Sequence, residues 1–317
     1  MTIVEQLEKR ITENEIWIPV PHLIISQSVE IGKIKLRTID ESLFDQWQGD
    51  WISRNPEHEG STEQLFVKYR KRFQGRAAAY IKILAEPNRA EELAFMEAER
   101  SISILRYFDP AMQDPPKMSY CGLEGRYFTP RSFSIRTISD REPEFNEGYH
   151  GTLPVPWVLS PSYLGVIRSS GLDALGAILA DENRTPFQKD ILDSMFIYTK
   201  CALESDPINK LIFILAALES MLLRDTNEPL TQNVGERMAM YIGDSLADNK
   251  SLVADVKKVY RLRSSFLHHG KKREDITTLN RFMVNVWLLF NNLILDINHY
   301  QSRDEFIQAL DDKKLSP

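Results

Sequence analysis

The residues best equipped for chemistry lie together in the last fifth of the chain, in the run Val259-Tyr260-Arg261-Leu262-Arg263-Ser264-Ser265-Phe266-Leu267-His268-His269-Gly270. Arginine grips a phosphate through two parallel hydrogen bonds and stays charged, whereas histidine can exchange a proton near neutral pH. Arg261, Arg263, His268 and His269 together make a set of groups suited to phosphoryl chemistry. The basic character continues through Lys271, Lys272 and Arg273, so that positions 256–273 hold seven Lys or Arg residues and no Asp or Glu. A charge run by itself is ordinarily a solvated face; the histidines add acid–base capacity.

Positioning these groups requires a helix end. Gly270 is the residue most able to take the left-handed conformation that closes a helix, and the pattern predicts one over 251–270, buried through Val259, Leu262, Phe266 and Leu267. Arg263 and His268 are five residues apart, which on an ideal helix sets them about 140° from each other. Arg261, Ser264, Ser265 and His268 share a face better. Either the helix unwinds toward Gly270, or each site takes its arginine and its histidine from different subunits; the spacing is compatible with both.

The pattern Tyr260-x-x-Arg263-Ser264-x-x-x-His268, with Gly270 two positions later, resembles the R-x4-6-H signature of the HEPN superfamily, in particular its Apea-like branch. Ala217-Leu218-Glu219-Ser220-Met221-Leu222 and Glu236-Arg237-Met238-Ala239 resemble further segments of the same helical domain, and the resemblance covers about residues 185–300. One departure is the doubled His268-His269, so that either histidine falls within the family spacing. The resemblance implies a metal-independent endoribonuclease without a cofactor, often a toxin or an abortive-infection effector of antiviral defence. Two subunits of such a protein bring their motifs into one cleft.

On that reading the 2′-hydroxyl of RNA attacks the adjacent phosphate. This needs a base, an acid for the leaving 5′-oxygen, and positive charge on the phosphorane. His268 or His269 would transfer protons and Arg263 would hold the phosphate. Arg261, Ser264, Lys271, Lys272, Arg273 and Arg237 would contact the RNA, whether tRNA or mRNA. Glu219 lies on an otherwise apolar helix face, where an unpaired carboxylate is costly. It is predicted to orient Arg263 or His268, with Arg237 as a second partner. A homodimer through the C-terminal region and an antitoxin or a phage-derived trigger are the implied partners. The alternative is a catalytically silent HEPN module that dimerises and binds a nucleotide, RNA or protein.

The rest of the chain frames this region. With 317 residues, 43% hydrophobic and 10% aromatic, it can bury sizeable cores, and its length suggests two domains. The reading is an α+β domain over 1–170, of sensory or regulatory role, followed by an all-α HEPN-like helical bundle over 171–317. The formal net charge of −6 argues against nonspecific coating of nucleic acid, so RNA contact must come from local patches. The second part is balanced: residues 184–317 carry 18 acidic and 18 basic residues, against 27 and 21 in the first 183. Cys121 and Cys201 are too few and too distant in sequence for a disulfide framework or a zinc site. The longest apolar runs noted, 211–223 and 284–297, are short and contain Glu219, Asn291, Asn292 and Asp296. A cytoplasmic location without membrane association is therefore expected.

Taken in order, the chain suggests a short helix over 5–15, an extended run over 16–21, and a strand over 29–39. A helix capped by Asp40 follows, then a helix over 62–73, a strand over 77–85 and a long helix over 87–108. The 62–76 stretch interleaves Lys68, Arg70, Lys71, Arg72 and Arg76 with Phe66, Tyr69 and Phe73. Such a mixture can bind single-stranded nucleic acid, but reads more simply as a buried aromatic stripe with solvated charges. Strands are predicted at 126–128 and 132–138, and His150 reads as a turn residue. From residue 172 helices follow one another over 185–204, 206–224, 231–246, 251–270 and 274–300, with a capping box at Ser302-x-x-Glu305 opening the last.

Overall fold

A computed structural model describes residues 11–114, 117–124, 131–136, 144–149, 156–225, 227–269 and 275–315. The first half is built on an antiparallel sheet of strands β1 (Thr12–Val20), β3 (Val29–Ile31), β4 (Ile34–Thr38) and β5 (Ala77–Ala85), in the order β1-β5-β4-β3. Alternation decides its faces: Ile18 and Val20 point into the main core, while Trp17 and Pro19 point to the other side. Two expectations change here. Residues 12–15 continue the strand, pairing Thr12 with Ala85 and Glu15 with Lys82, and are not helical. The single strand expected over 29–39 is a hairpin, because Gly32 takes φ 63° and turns β3 back onto β4. Strand β2 (Leu23–Ile25), unforeseen, pairs in parallel with the distant β8 (Trp157–Leu159). Between them β6 (Arg131–Arg136) and β7 (Glu144–Tyr149) form a separate antiparallel pair. The strand expected at 126–128 and the turn at His150 lie outside the described residues.

Helices α1 (Glu41–Arg54) and α2 (Glu59–Phe73) cover the outer sheet face. Asp40 caps α1 by accepting from the amide of Leu43 at 2.9 Å, as its side chain suggests. Helix α3 (Pro87–Tyr107) lies against the inner face, and its last turns, Ser101 through Tyr107, are wholly buried. Arg106, fully buried, donates from Nε to the carbonyl of Cys121 at 2.8 Å.

The second half is mostly helical. Helix α4 (Pro161–Ile167) runs through an irregular turn into α5 (Asp173–Ala180), earlier than the start expected near residue 172. Gly171 bends the chain there with φ 112°, and a Cβ at this point would sit 2.3 Å from a methyl of Ile294. By length and composition the stretch Pro161–Ala180 is apolar enough to cross a membrane, which the sequence reading overlooked. Its Leu164, Ile167, Leu172, Leu175 and Leu179 are buried in the core of this fold.

The remaining helices are α6 (Pro186–Tyr198), α7 (Pro207–Leu222), α8 (Leu230–Ile242), α9 (Leu246–His269), α10 (Ile276–Leu295) and α11 (Arg303–Leu315). Their starts follow the local chemistry. Thr185 and Gln188 form a reciprocal capping box for α6, and Asp206 accepts from the amide of Ile208 to open α7. Helix α9 begins five residues before the predicted Ser251, because Ser245 caps it by accepting from the amide of Asp248. One buried cluster extends from Ile18 in β1 to Leu310 in α11, so the sheet region and the helices share a core. The Tyr107 hydroxyl, donating to Asn291 at 2.8 Å, links α3 to α10 across it.

Candidate functional site

Helix α7 is apolar on most of its surface, with Ala217, Leu218, Met221 and Leu222 fully buried. Glu219 interrupts this surface with a side chain only 22% exposed. Its charge is met from α9, where Tyr260 and Arg263 are three residues apart and so reach the same place. The Tyr260 hydroxyl and Arg263 Nη1 both donate to Glu219 Oε1, each at 2.9 Å. Burial, reinforced by the Glu219 charge, pushes the Tyr260 hydroxyl well above its ordinary pKa, so it remains a donor. Arg263 keeps capacity in reserve: its side chain is 28% exposed, and its buried Nε has no hydrogen-bond partner among the described residues. The unpartnered Nε is itself buried, so an anion would meet this guanidinium only at the part that its 28% exposure leaves open.

The helix that carries Arg263 is braced on another side. Asp255, buried on α9, accepts from Arg281 of α10 through both oxygens at 2.5 Å. This fixes the rotation of α9 and with it the direction of its exposed flank. Lys257, Arg261 and Ser264, at intervals of four and three residues, are all exposed and form one stripe along that flank. Position 268 is the next step of the same stripe.

The backbone remains helical through His269. It does not unwind ahead of the histidines, so positions 263 and 268 stay about 140° apart around the axis and positions 263 and 269 about 120°. Arg263 faces α7, whereas position 268 follows the stripe of Arg261 and Ser264. Lys271, Lys272, Arg273 and the closing Gly270 lie outside the described residues.

One predicted site residue belongs elsewhere. Arg237 does not reach Glu219; it is buried on α8 and all five of its donors are occupied. Nε and Nη2 bind Asp311 at 3.0 Å each, Nη1 and Nη2 bind Glu228 at 2.6 and 2.9 Å, and Nη1 also reaches the carbonyl of Leu222 at 2.6 Å. No donor is left for RNA. The hydrogen bonds from Arg237 hold the Glu228 carboxyl down at about 2. The group ties α8 to α11 and to the end of α7, and is structural.

No family model, no curated protein and no solved structure matches this chain. Sequence reasoning missed the part of Tyr260, although its spacing of three from Arg263 was a usable signal. It also missed the carboxylates around Arg237, since Asp311 lies 74 residues away and no local pattern could name it. In the first half, Arg70 pairs with Asp45 and Arg72 with Glu124, so those two cations of the aromatic-basic stretch are engaged within the protein.

Proposed function

We propose that this chain is a metal-independent endoribonuclease of the HEPN type, acting as a homodimer in the manner of a toxin or an abortive-infection effector. The observation that carries the reading is the Glu219–Arg263 ion pair at 2.9 Å. It presents a partly exposed arginine at the motif position, beside an exposed cationic stripe that leads to the histidines. In this mechanism Arg263 holds the scissile phosphate and Glu219 fixes its orientation. His268 or His269 accepts the proton of the 2′-hydroxyl as that oxygen attacks phosphorus, and a second histidine protonates the departing 5′-oxygen. Lys257, Arg261 and Ser264, with Lys271, Lys272 and Arg273, bind the backbone on either side.

The continuous helix through His269 favours one of the two arrangements left open by the spacing: each site draws its arginine from one subunit and its histidine from the partner. Mixing the inactive Arg263→Ala and His268→Ala proteins tests this. With free exchange, heterodimers contain one intact site, and about a quarter of wild-type cleavage returns. A mixture that stays at background while wild type cuts excludes the shared site. Replacing the 2′-hydroxyl at the cut position by hydrogen removes the nucleophile and should abolish cleavage there; unchanged cleavage would exclude the mechanism.

A further inference from the structure

A second candidate site, independent of the nuclease reading, lies between the outer sheet face and the helix pair α1 and α2. Its origin is legible in the strand register. Ala78 stands between Pro19 and Arg37 on the outer face, so the centre of the sheet offers almost no side chain to fill the space beneath the helices. The satellite core there has only Ile39, Phe44 and Ala78 fully buried. What remains is an open cavity of about 510 Å³, a volume typical of small-ligand sites.

Its walls are aromatic. Three of the five tryptophans of the chain, Trp17, Trp47 and Trp51, line it together with Phe44, Phe66 and Tyr69. Some ring faces are already covered: the Arg37 guanidinium lies 4.8 Å from the Trp17 ring and 5.3 Å from Tyr80, and Arg70 lies 5.5 Å from Phe44. Others are more open, since Trp51 is 52% exposed and Tyr69 38%, although Tyr69 stacks on Phe73 with ring centroids 6.3 Å apart. Leaving a ring as large as that of Trp51 in water is unfavourable unless something stacks on it.

The polar groups of the lining select the ligand. Asp50 and Arg54 are one helical turn apart on α1, a spacing at which oppositely charged side chains commonly pair. Here neither makes an ion pair among the described residues, and both are exposed. An apolar, ring-lined cavity with one free carboxylate and one free guanidinium a helical turn apart at its edge complements an aromatic group carrying both charges. We propose that this cavity binds a small aromatic zwitterion of the α-amino acid class. The ring lies among Trp47, Trp51 and Tyr69, the ammonium meets Asp50, and the carboxylate meets Arg54.

Isothermal titration of the full-length protein with three ring-matched probes provides the test: 2-naphthylalanine as the zwitterion, 2-naphthylacetate as the anion and 2-naphthylethylamine as the cation. Tryptophan emission is an independent readout of occupancy. The zwitterion should bind about tenfold or more tightly than either singly charged probe, the gain expected from one added charge-assisted hydrogen bond. Arg54→Ala should reduce its affinity to that of the cation, Asp50→Asn to that of the anion, and Trp51→Ala should abolish binding of all three. These side chains are exposed, so the variants should keep the wild-type melting temperature and circular dichroism. Equal affinity for the three probes, preference for a singly charged one, or wild-type binding by folded Trp51→Ala would overturn the proposal, as would absence of binding at millimolar probe.

Discussion

Two arginines in the helical half meet carboxylates in opposite ways. Arg237 is buried, with its five donors divided among Glu228, Asp311 and a backbone carbonyl. Arg263 is partly exposed, touches a single oxygen of Glu219 and leaves its Nε without a partner among the described residues. A saturated guanidinium joins helices and can do nothing else, because any new ligand must displace an existing bond. An unsaturated one, oriented at one corner, costs some stability and retains the capacity to bind. The contrast separates an arginine used for architecture from one suited to phosphate.

The largest effect should come from breaking the saturated site. Arg237→Ala leaves Glu228 without its cation, while Asp311 keeps Arg224 at 3.3 Å and Lys314 at 4.0 Å; it should cost about 3–5 kcal/mol, lowering Tm by roughly 5–7 °C in a thermal melt. A melt within 2 °C of wild type would put Arg237 among the surface arginines. Arg263→Ala should behave in the reverse sense. Glu219 keeps the Tyr260 hydroxyl as a donor, so the melt should fall by less than that of Arg237→Ala, while RNA cleavage falls by about 10²–10³-fold, the usual loss when a group stabilising transition-state charge is removed.

Acid sharpens the same contrast. The Glu228 carboxyl is depressed from 4.5 to about 2 in the folded protein, so its contribution to stability is fully present above pH 4.5 and is lost as pH falls toward 2. Glu228→Gln should therefore melt lower than wild type at pH 7, by about 2 kcal/mol of stability, and the two curves should draw together as pH falls to 2 and below. A gap that persists unchanged at pH 2 would contradict the assignment. The smallest effect is expected at the unsaturated site: Glu219→Gln keeps the hydrogen bonds but removes the charge that aims Arg263. Cleavage should fall about tenfold with the dimer intact, as read by initial rates and light scattering. A fully active, folded Glu219→Ala protein would remove Glu219 from the account.

Much of this arrangement is legible in the residues themselves. Helix starts written in two neighbouring residues, an N-cap followed by proline as in Thr185-Pro186 and Asp206-Pro207, are legible because their chemistry is local. The pairing of Glu219 with Arg263 was one of two options, because a carboxylate on an apolar face requires a cation and few were within reach. What escaped depends on distant pairing. Strand β2 finds β8 across more than a hundred residues, and the turn at Gly32 was hidden within a run of apolar alternation. The satellite cavity is hidden for a subtler reason: in sequence Phe66, Tyr69 and Phe73 read as a buried stripe, and only the register of Ala78 reveals that the sheet beneath does not fill the space.

Incubating the wild-type protein with mixed RNA in excess EDTA, beside folded Arg263→Ala and His268→Ala variants, probes the central claim most directly. The account predicts cleavage that survives chelation in the wild type and falls to background in both variants. RNA left intact by folded, dimeric wild type, or cut equally well by all three proteins, would contradict it.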